Sequence, residues 1–390
     1  MGTTGSSTTT LAVAGAPLRI GMVAPLGRGG RGGMDRLADI VIAELEGPAR
    51  GQGIEVVRLT TRGPRGLPYS AWYFVVALAK LALLLIGRRL DVLHIHLAAG
   101  GSTSRKSLLA GMARLAGVPV IVHVHSGRFP EYWREASPAA AQRIARLLDG
   151  SAMIIVLCRA HGDAIAELLP SIRDRITVLA NATPSRPRAR IPQPGAPVTL
   201  TFLGILMQQK GVGDLLSALA KLDTETPWHA TVAGYGYLDE FLRQRADLDL
   251  TGKVSFPGWL DEAGVDDLLS RTDVYVLPSY SEGLPMSILE AFAAGVPVVA
   301  TPLPAIVEVV EDGRTGCLVP VGDVDALAAA LARLIDDAPL RRRMGDAGRV
   351  DHAARFAIEP YVEKLADLWR AVRREAKAPA AMPNAAEPQQ

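Results

Sequence analysis

Two carboxylates near the C-terminal third of the sequence, Glu282 and Glu290, lie eight residues apart, and this spacing could serve binding chemistry. A carboxylate can accept a pair of hydrogen bonds from neighbouring hydroxyl groups, such as those of a sugar ring or a ribose. Isolated glutamates are usually solvated surface residues. The alternative is therefore that Glu282 is a turn residue and Glu290 a helix residue without a chemical role. The surrounding residues decide between this alternative and a binding role.

A strand, a polar turn and a short helix are predicted around the two glutamates. Residues 274–277 form an apolar, β-rich run, Pro285 suits the first turn of a helix, and Gly295 suits its end. The turn and the helix N-terminus then face the carboxyl end of a strand, where open α/β sheets usually bind ligands. Free N–H groups and the positive end of the helix dipole suit a diphosphate at that place.

Strands alternate with helices along most of the chain, which predicts parallel, doubly wound sheets. The segment between Pro184 and Pro197 is dense in Pro and Arg and predicts a linker between two such series. We therefore expect two Rossmann-like α/β domains that face each other across a cleft. The predicted strands are 18–24, 54–59, 92–96, 118–123, 153–157, 176–179, 198–203, 230–233, 254–256 and 274–277.

These patterns divide the chain into segments. We expect a flexible leader over residues 1–17, which lacks the basic start of a secretory signal, and a disordered Ala- and Pro-rich tail over residues 377–390. The N-terminal domain is expected over residues 18–190 and the C-terminal domain over residues 191–358.

The composition excludes several classes of protein. Lys and Arg number 42 against 40 Asp and Glu, a formal net charge of +2, so no overall basic field indicates a nucleic-acid partner. An apolar fraction of 49% over 390 residues suits two domains with substantial cores. Cys158 and Cys317 each lie beside an apparent buried strand, which favours reduced thiols in a cytoplasmic protein.

One segment could contact a bilayer. Residues 72–86 are apolar, but Lys80 interrupts them, and they are fewer than the roughly 20 residues that a spanning helix needs. A buried core helix is the expected structure, and a helix at a membrane interface is the alternative.

The first loop also fits a dinucleotide-binding pattern, Gly-x-Gly-x-x-Gly, at Gly27, Gly29 and Gly32. The acidic residue expected at the end of the second strand is missing, because Glu55 lies inside that strand and Arg58 near its end. An NAD site is therefore a weak alternative, and a plain strand-to-helix turn also explains the glycines.

Four histidines form two His-x-His pairs at strand ends, His94 with His96 and His123 with His125. Alternation along a strand places both members of a pair on one face, so a metal site is conceivable. Carboxylate partners at suitable spacing are lacking, and we expect no bound metal.

The run from Ser279 to Val299 resembles the signature of the GT-B glycosyltransferases of family 4, retaining enzymes that use nucleotide-activated sugars. The resemblance implies that Glu282 and Glu290 hold the donor sugar and the ribose, and that residues 359–376 form a helix crossing back onto the first domain. His125 matches the strand-end histidine at the donor sugar. The other positions that match donor-binding segments are Gly32, Gly33, Gly204, Lys210, Gly234, Phe256, Gly258, Gly283, Leu284, Pro285, Met286 and Ser287. For the segments at Gly234 and Phe256, a simple turn after a strand is an equal alternative.

One position departs from the family pattern. Residues 202–211 resemble the diphosphate loop, where an arginine follows the glycine; Lys210 is present, but Ile205 stands in place of the arginine. Two cations normally offset the charge that grows on the diphosphate as the sugar leaves. We therefore expect impaired turnover unless Arg28, Arg31 or another base of the cleft substitutes.

The resemblance implies a retaining hexosyltransferase in which His125, Glu282 and Lys210 are the catalytic residues. It implies a UDP- or GDP-linked sugar as co-substrate, without metal or other cofactor. Residues 94–106 and 123–129 look most like bacterial exopolysaccharide-assembly transferases, so the expected acceptor is a glycan or a polyprenyl-diphosphate-linked oligosaccharide. We expect a cytoplasmic protein with peripheral membrane contact as an option, and no nucleic-acid partner. A catalytically silent GT-B binding or scaffold protein is the alternative.

Overall fold

The computed structural model describes residues 16–30, 32–47, 53–63, 66–189 and 195–377, and all statements on structure refer to these residues. Most of the predicted leader, part of the predicted linker, Arg31 and nearly all of the predicted tail lie outside them. The described residues contain two parallel six-stranded sheets. Each sheet has helices on both faces, which is why its strands are almost continuously apolar.

The N-terminal sheet has the strand order β2-β1-β3-β4-β5-β6. The order reverses beside β1, and such a switch point opens a crevice at the carboxyl ends of the strands. The strands are β1 (Leu18–Ala24), β2 (Ile54–Thr60), β3 (Val92–Leu97), β4 (Val120–Val124), β5 (Met153–Val156) and β6 (Ile176–Val178). The helices are α1 (Gly33–Glu46), α2 (Gly66–Ile86), α3 (Ser102–Leu115), α4 (Phe129–Arg134), α5 (Pro138–Asp149) and α6 (Arg159–Leu168).

The C-terminal sheet has the order β12-β11-β10-β7-β8-β9 and is also parallel. Its strands are β7 (Val198–Leu206), β8 (Trp228–Gly236), β9 (Val254–Gly258), β10 (Val274–Leu277), β11 (Val298–Ala300) and β12 (Gly316–Leu318). Its helices are α7 (Val212–Ala220), α8 (Leu238–Asp247), α9 (Glu262–Ser270), α10 (Met286–Ala294), α11 (Pro304–Val307), α12 (Val324–Asp336) and α13 (Ala338–Asp351). The two sheets confirm the predicted fold class.

The last helix, α14 (Ile358–Lys377), packs on the N-terminal domain. Its side chains Leu365 and Trp369 are buried in one cluster with Leu37 and Val41 of α1. The Trp369 Nε1–H donates to His94 Nδ1 at 2.9 Å. The chain therefore crosses back onto the first domain, as the family resemblance implied.

Helix α2 corrects one prediction. Only 11% of its segment Tyr69–Ile86 is buried, although Ala77 and Leu81 pack into the domain. Trp72 is 66% exposed and Leu83 70% exposed. The prediction of a buried core helix is therefore wrong, because a segment that is apolar on all sides carries no periodicity that shows which face is covered.

Candidate active site

A cleft with a volume of about 1280 Å³ lies between the two domains at the carboxyl ends of both sheets. It brings together most of the residues that the sequence singled out. Those that line it are Gly32, Gly33, His125, Gly204, Lys210, Gly234, Glu282, Gly283, Leu284, Pro285, Met286, Ser287 and Glu290.

Phe256 and Gly258 do not line this cleft. Both belong to β9, which extends two residues beyond its predicted end, and the Arg245 guanidinium lies 5.8 Å from the centre of the Phe256 ring. The following residues, Trp259 and Leu260, line the cleft in their place.

Glu282 lies in the turn after β10, where two donors hold its carboxylate. Its Oε1 accepts hydrogen bonds from Lys210 Nζ at 2.6 Å and from Ser279 Oγ at 2.7 Å. Lys210 ends a short 3₁₀ turn after β7, and Gly211 follows in the left-handed conformation at φ 70°. A β-carbon at Gly211 would also lie 2.0 Å from the carbonyl oxygen of Pro278, so glycine is required beside the lysine.

The backbones of the two domains touch at the same turn. A β-carbon on Gly283 would lie 2.0 Å from the His125 carbonyl oxygen, and one on Gly127 would lie 1.7 Å from the Glu282 carbonyl oxygen. The Asn181 side chain adds a hydrogen bond from Nδ2 to the carbonyl oxygen of Leu284 at 2.7 Å. No local sequence pattern predicts a role for Gly127 or Asn181, because these contacts form only where the two domains meet.

Glu290 lies on α10, and its side chain is almost fully buried. Its Oε1 is 2.9 Å from Arg36 Nη2 of α1, across the cleft, and 3.5 Å from Arg186 Nη2. Neither Glu290 Oε1 nor Arg36 Nη2 makes a hydrogen bond of good geometry. The contact is therefore an ion pair between the two domains, and both atoms are buried. Sequence reasoning missed both arginines, although Arg36 follows the glycine loop by one helical turn.

Ile205 lies at the end of β7 and lines the cleft with 36% of its surface exposed. Within the described part of the chain, three permanently charged bases line the cleft: Arg28, Arg36 and Lys210. Arg28 is on the exposed glycine loop, whereas Arg36 faces Glu290. Of the three bases, Arg36 is the one that pairs with Glu290 across the two domains.

The glycine loop is held by the protein's own carboxylates. Asp35 Oδ1 accepts from the Leu26 N–H at 2.8 Å, and Asp39 Oδ2 accepts from the Gly29 N–H at 2.8 Å. Arg58 pairs with both aspartates. Because a pyrophosphate would have to displace these carboxylates, the geometry disfavours the NAD alternative.

The two His-x-His pairs form one row on the same face of the N-terminal sheet. His96 and His123 are register partners on β3 and β4, and His96 Nδ1 lies 2.8 Å from His125 Nε2. Nitrogen atoms of His94, His96 and His123 lie within 4.8 Å of one another. The Trp369 N–H can only donate, so His94 Nδ1 accepts and the neutral ring carries its proton on Nε2. That nitrogen then has no lone pair for a metal, which disfavours a three-histidine metal site.

All four imidazoles are held in the neutral form. Burial lowers the pKa of His94 to about 3 and the pKa values of His96 and His123 well below the usual 6.5. His125 is half-buried at the cleft, and desolvation is the largest cause that lowers its pKa to about 3. His125 is therefore a neutral hydrogen-bonding group near pH 7, not a cation.

This row of imidazoles predicts a loss of stability in mild acid. The pKa values are lower in the folded than in the unfolded chain, so unfolding takes up protons once the pH falls below about 6.5. The free energy of unfolding should then fall by roughly 1.4 kcal/mol per pH unit for each buried imidazole. Denaturant unfolding at about pH 7 and about pH 5.5 measures this slope. His123→Gln should reduce the dependence of the unfolding free energy on pH by the contribution of one imidazole. Equal stability of the unaltered protein at the two pH values would contradict the prediction.

Comparison with solved structures first gives the class of protein. Sucrose-phosphate synthase from Thermosynechococcus elongatus aligns with a TM-score of 0.75 and 19% identity, covering 92% of this chain and 100% of that one. The Anabaena HepE complex with UDP and glucose aligns with a TM-score of 0.72 and 19% identity, covering 91% and 100%. At these identities the likeness shows the fold, which is the GT-B arrangement of glycosyltransferases.

Family models then identify the family. The model of "Glycosyl transferase 4-like domain" matches residues 5–182, and the model of "Glycosyl transferases group 1" matches residues 197–337. Together they cover most of the chain. The protein belongs to the GT-B glycosyltransferases of family 4 and is a glycosyltransferase.

Curated relatives differ in their activities. A glycogen synthase of Mycobacterium tuberculosis is 29% identical over 277 residues, 69% of this chain and 67% of the relative. An alpha-D-kanosaminyltransferase of Streptomyces kanamyceticus is 28% identical over 303 residues, 72% and 77% of the two chains. A phosphatidyl-myo-inositol mannosyltransferase of Mycolicibacterium smegmatis is 40% identical over 146 residues, 37% of each.

Proposed function

We propose that this glycosyltransferase moves a hexose from a nucleotide diphosphate sugar to a hydroxyl group of a glycan, with retention of the anomeric configuration. The observation that carries the proposal is the turn after β10, where Glu282 and Lys210 pair at 2.6 Å directly against the His125 backbone of the other domain. The carboxylate of this turn pairs with the cation that follows β7, and the neutral His125 side chain lines the same cleft. These are the groups that sugar hydroxyls and a phosphate require.

In this proposal the C-terminal domain holds the nucleotide. The Glu290 carboxylate, whose Oε1 pairs with Arg36 and Arg186, accepts hydrogen bonds from the ribose diol, and the N–H groups at the start of α10 face the diphosphate. The first turn of α10 contains no acidic side chain that would compete for these groups. Lys210 exchanges part of its contact with Glu282 for a phosphate oxygen, and the freed carboxylate oxygen accepts from the sugar.

Arg36 supplies the second cation in this scheme. Its Nη2 lies 2.9 Å from Glu290 Oε1, where the ribose binds in this proposal. A diphosphate linked to that ribose offers oxygens within the same part of the cleft. In this scheme, Arg36 of the N-terminal domain supplies the positive charge that the family pattern places on an arginine at the position of Ile205.

The chemistry follows by analogy with the family. The leaving phosphate takes the acceptor proton on the same face of the sugar, and contact between the domains excludes water. Neutral His125 accepts or donates one hydrogen bond to a sugar hydroxyl. Lys210, Arg36 and the N-terminus of α10 provide positive charge at the diphosphate, so the scheme requires no metal ion.

A thermal-shift panel of UDP, GDP and their hexose conjugates tests donor binding. A ligand at 100 times its Kd stabilises the folded protein by about 2.7 kcal/mol, so the correct nucleotide should raise Tm by several degrees. NAD serves as the control ligand and should leave Tm unchanged. If no nucleotide or nucleotide sugar shifts Tm, the proposed donor site is wrong.

Release of the nucleoside diphosphate separates transfer from mere binding. A chain that binds a nucleotide sugar but releases no diphosphate, either to water or with a glycan acceptor, would favour the binding or scaffold alternative.

We further propose that the acceptor is carried on a polyprenyl diphosphate and that the enzyme works in the cytoplasm, at the inner face of the membrane. The resemblance of residues 94–106 and 123–129 to exopolysaccharide-assembly transferases motivates this choice.

A further inference from the structure

Helix α2 is divided lengthwise into two apolar faces. The inner face packs on the N-terminal domain through Phe74, Leu78 and Leu81. The outer face follows the helical repeat from residue 72 to residue 86 and is exposed to solvent. Its side chains are Trp72 (66% exposed), Val75 (55%), Val76 (43%), Leu83 (70%) and Ile86 (81%).

This outer face is unusual for a surface helix. A helix on the surface of a globular domain normally carries polar residues on the side opposite the core. Here the outer stripe is apolar over four turns, and the one charged residue within α2 is Lys80, whose Nζ donates to the Arg58 carbonyl oxygen at 3.1 Å. A contiguous exposed apolar surface of this kind marks a site of contact with another apolar surface.

Charge identifies the kind of surface that α2 contacts. The sequence from residue 56 to residue 90 contains no aspartate or glutamate, and six arginines and lysines. Four of these bases are exposed, namely Arg62, Lys80, Arg88 and Arg89. An apolar stripe in a segment whose charged residues are all bases fits an anionic lipid surface, where each base adds attraction and a tryptophan suits the interface.

We propose that the outer face of α2 docks the enzyme on anionic lipid membranes, with the helix lying in the plane of the interface. Tyr69–Ile86 is long and apolar enough to span a bilayer by length and composition, with a mean hydropathy of 1.9. Spanning would strip Ala77 and Leu81 from the domain core and place Lys80 in the hydrocarbon. Lying in the interface keeps the inner face packed and lets the Lys80 side chain extend to the headgroups.

Vesicle co-sedimentation of the full chain tests this docking surface. The protein should bind vesicles made of equal parts phosphatidylcholine and phosphatidylglycerol, bind phosphatidylcholine alone much more weakly, and dissociate as salt is raised. Replacing both arginines, R88Q with R89Q, should weaken binding to the anionic vesicles roughly 30-fold, since each base near the surface contributes about a factor of five. The double variant W72S/L83S should abolish it.

The matched control is V350S, because Val350 is also 66% exposed but lies on α13 of the C-terminal domain. It should bind vesicles as the unaltered protein does, and all variants should keep the same Tm. Absence of binding to anionic vesicles, or unchanged binding by W72S/L83S, overturns the proposal. The proposal is also overturned if the protein does not bind vesicles but forms a concentration-dependent dimer that W72S/L83S disrupts. A second copy of the chain would then cover the outer face of α2. The assay contains no nucleotide or acceptor, so its result is independent of the proposed transfer reaction.

Discussion

Replacement of Glu282 by alanine should lower kcat for sugar transfer by about 10²- to 10³-fold while leaving the fold intact. The carboxylate is the meeting point of Lys210 and Ser279, and in the proposed complex it accepts hydrogen bonds from the donor sugar. Removing it leaves the sugar hydroxyls unpaired and Lys210 without its oriented partner. Lys210 is 22% exposed, so water can solvate the freed ammonium and the loss of stability should be small.

Glu262→Gln is the matched control for Glu282→Ala. Glu262 also lines the cleft, at the start of α9, but it is exposed and belongs to a different wall. Its replacement should change kcat less than severalfold. Initial rates of nucleoside diphosphate release with acceptor present measure both variants. Equal rates for Glu282→Ala and the unaltered enzyme would show that the turn after β10 takes no part in the reaction.

Most of the strands were predictable because a buried parallel strand leaves a strong local signal, whereas the three-residue strand β12 was not predicted. The strands Leu18–Ala24 and Val274–Leu277 have the same bounds as the predicted apolar runs. The turn and helix after the second strand, and Gly295 at the end of that helix, follow from local residue preferences. The placement of Glu282 and Lys210 at one edge follows from the topology, since all carboxyl ends of a parallel sheet meet there. Local pattern and topology together gave the C-terminal wall of the site.

Other features depend on what packs against a segment, and no local pattern carries that information. Helix α2 is apolar on both faces, so its sequence could not show that one face has no protein partner. The sequence placed each His-x-His pair on one face of its strand, but only the register of β3 and β4 joins them into one row. Arg36 meets Glu290 only because the domains approach each other, at a separation of more than 250 residues in sequence.

Replacement of Arg36 by glutamine should lower kcat/KM for the nucleotide sugar by about 10²-fold, because the diphosphate then has Lys210 as its one side-chain cation. Ile205 lines the same cleft at the end of β7, in the position where the family pattern carries an arginine. If the two positions serve one role, R36Q combined with I205R should recover most of the lost activity. R28Q is the matched control, since Arg28 is an exposed cleft base of the same domain.

Steady-state kinetics of the single and double variants separate this role from a structural one. Arg36 also lies against the buried Glu290 carboxylate, so R36Q could act by loosening the interface between the domains. A loss of that kind would lower Tm and would not respond to an arginine at position 205. Recovery in R36Q/I205R with little effect of R28Q would identify Arg36 as the substitute cation. No loss in R36Q, in an enzyme that E282A inactivates, would refute that role and leave the donor site itself intact.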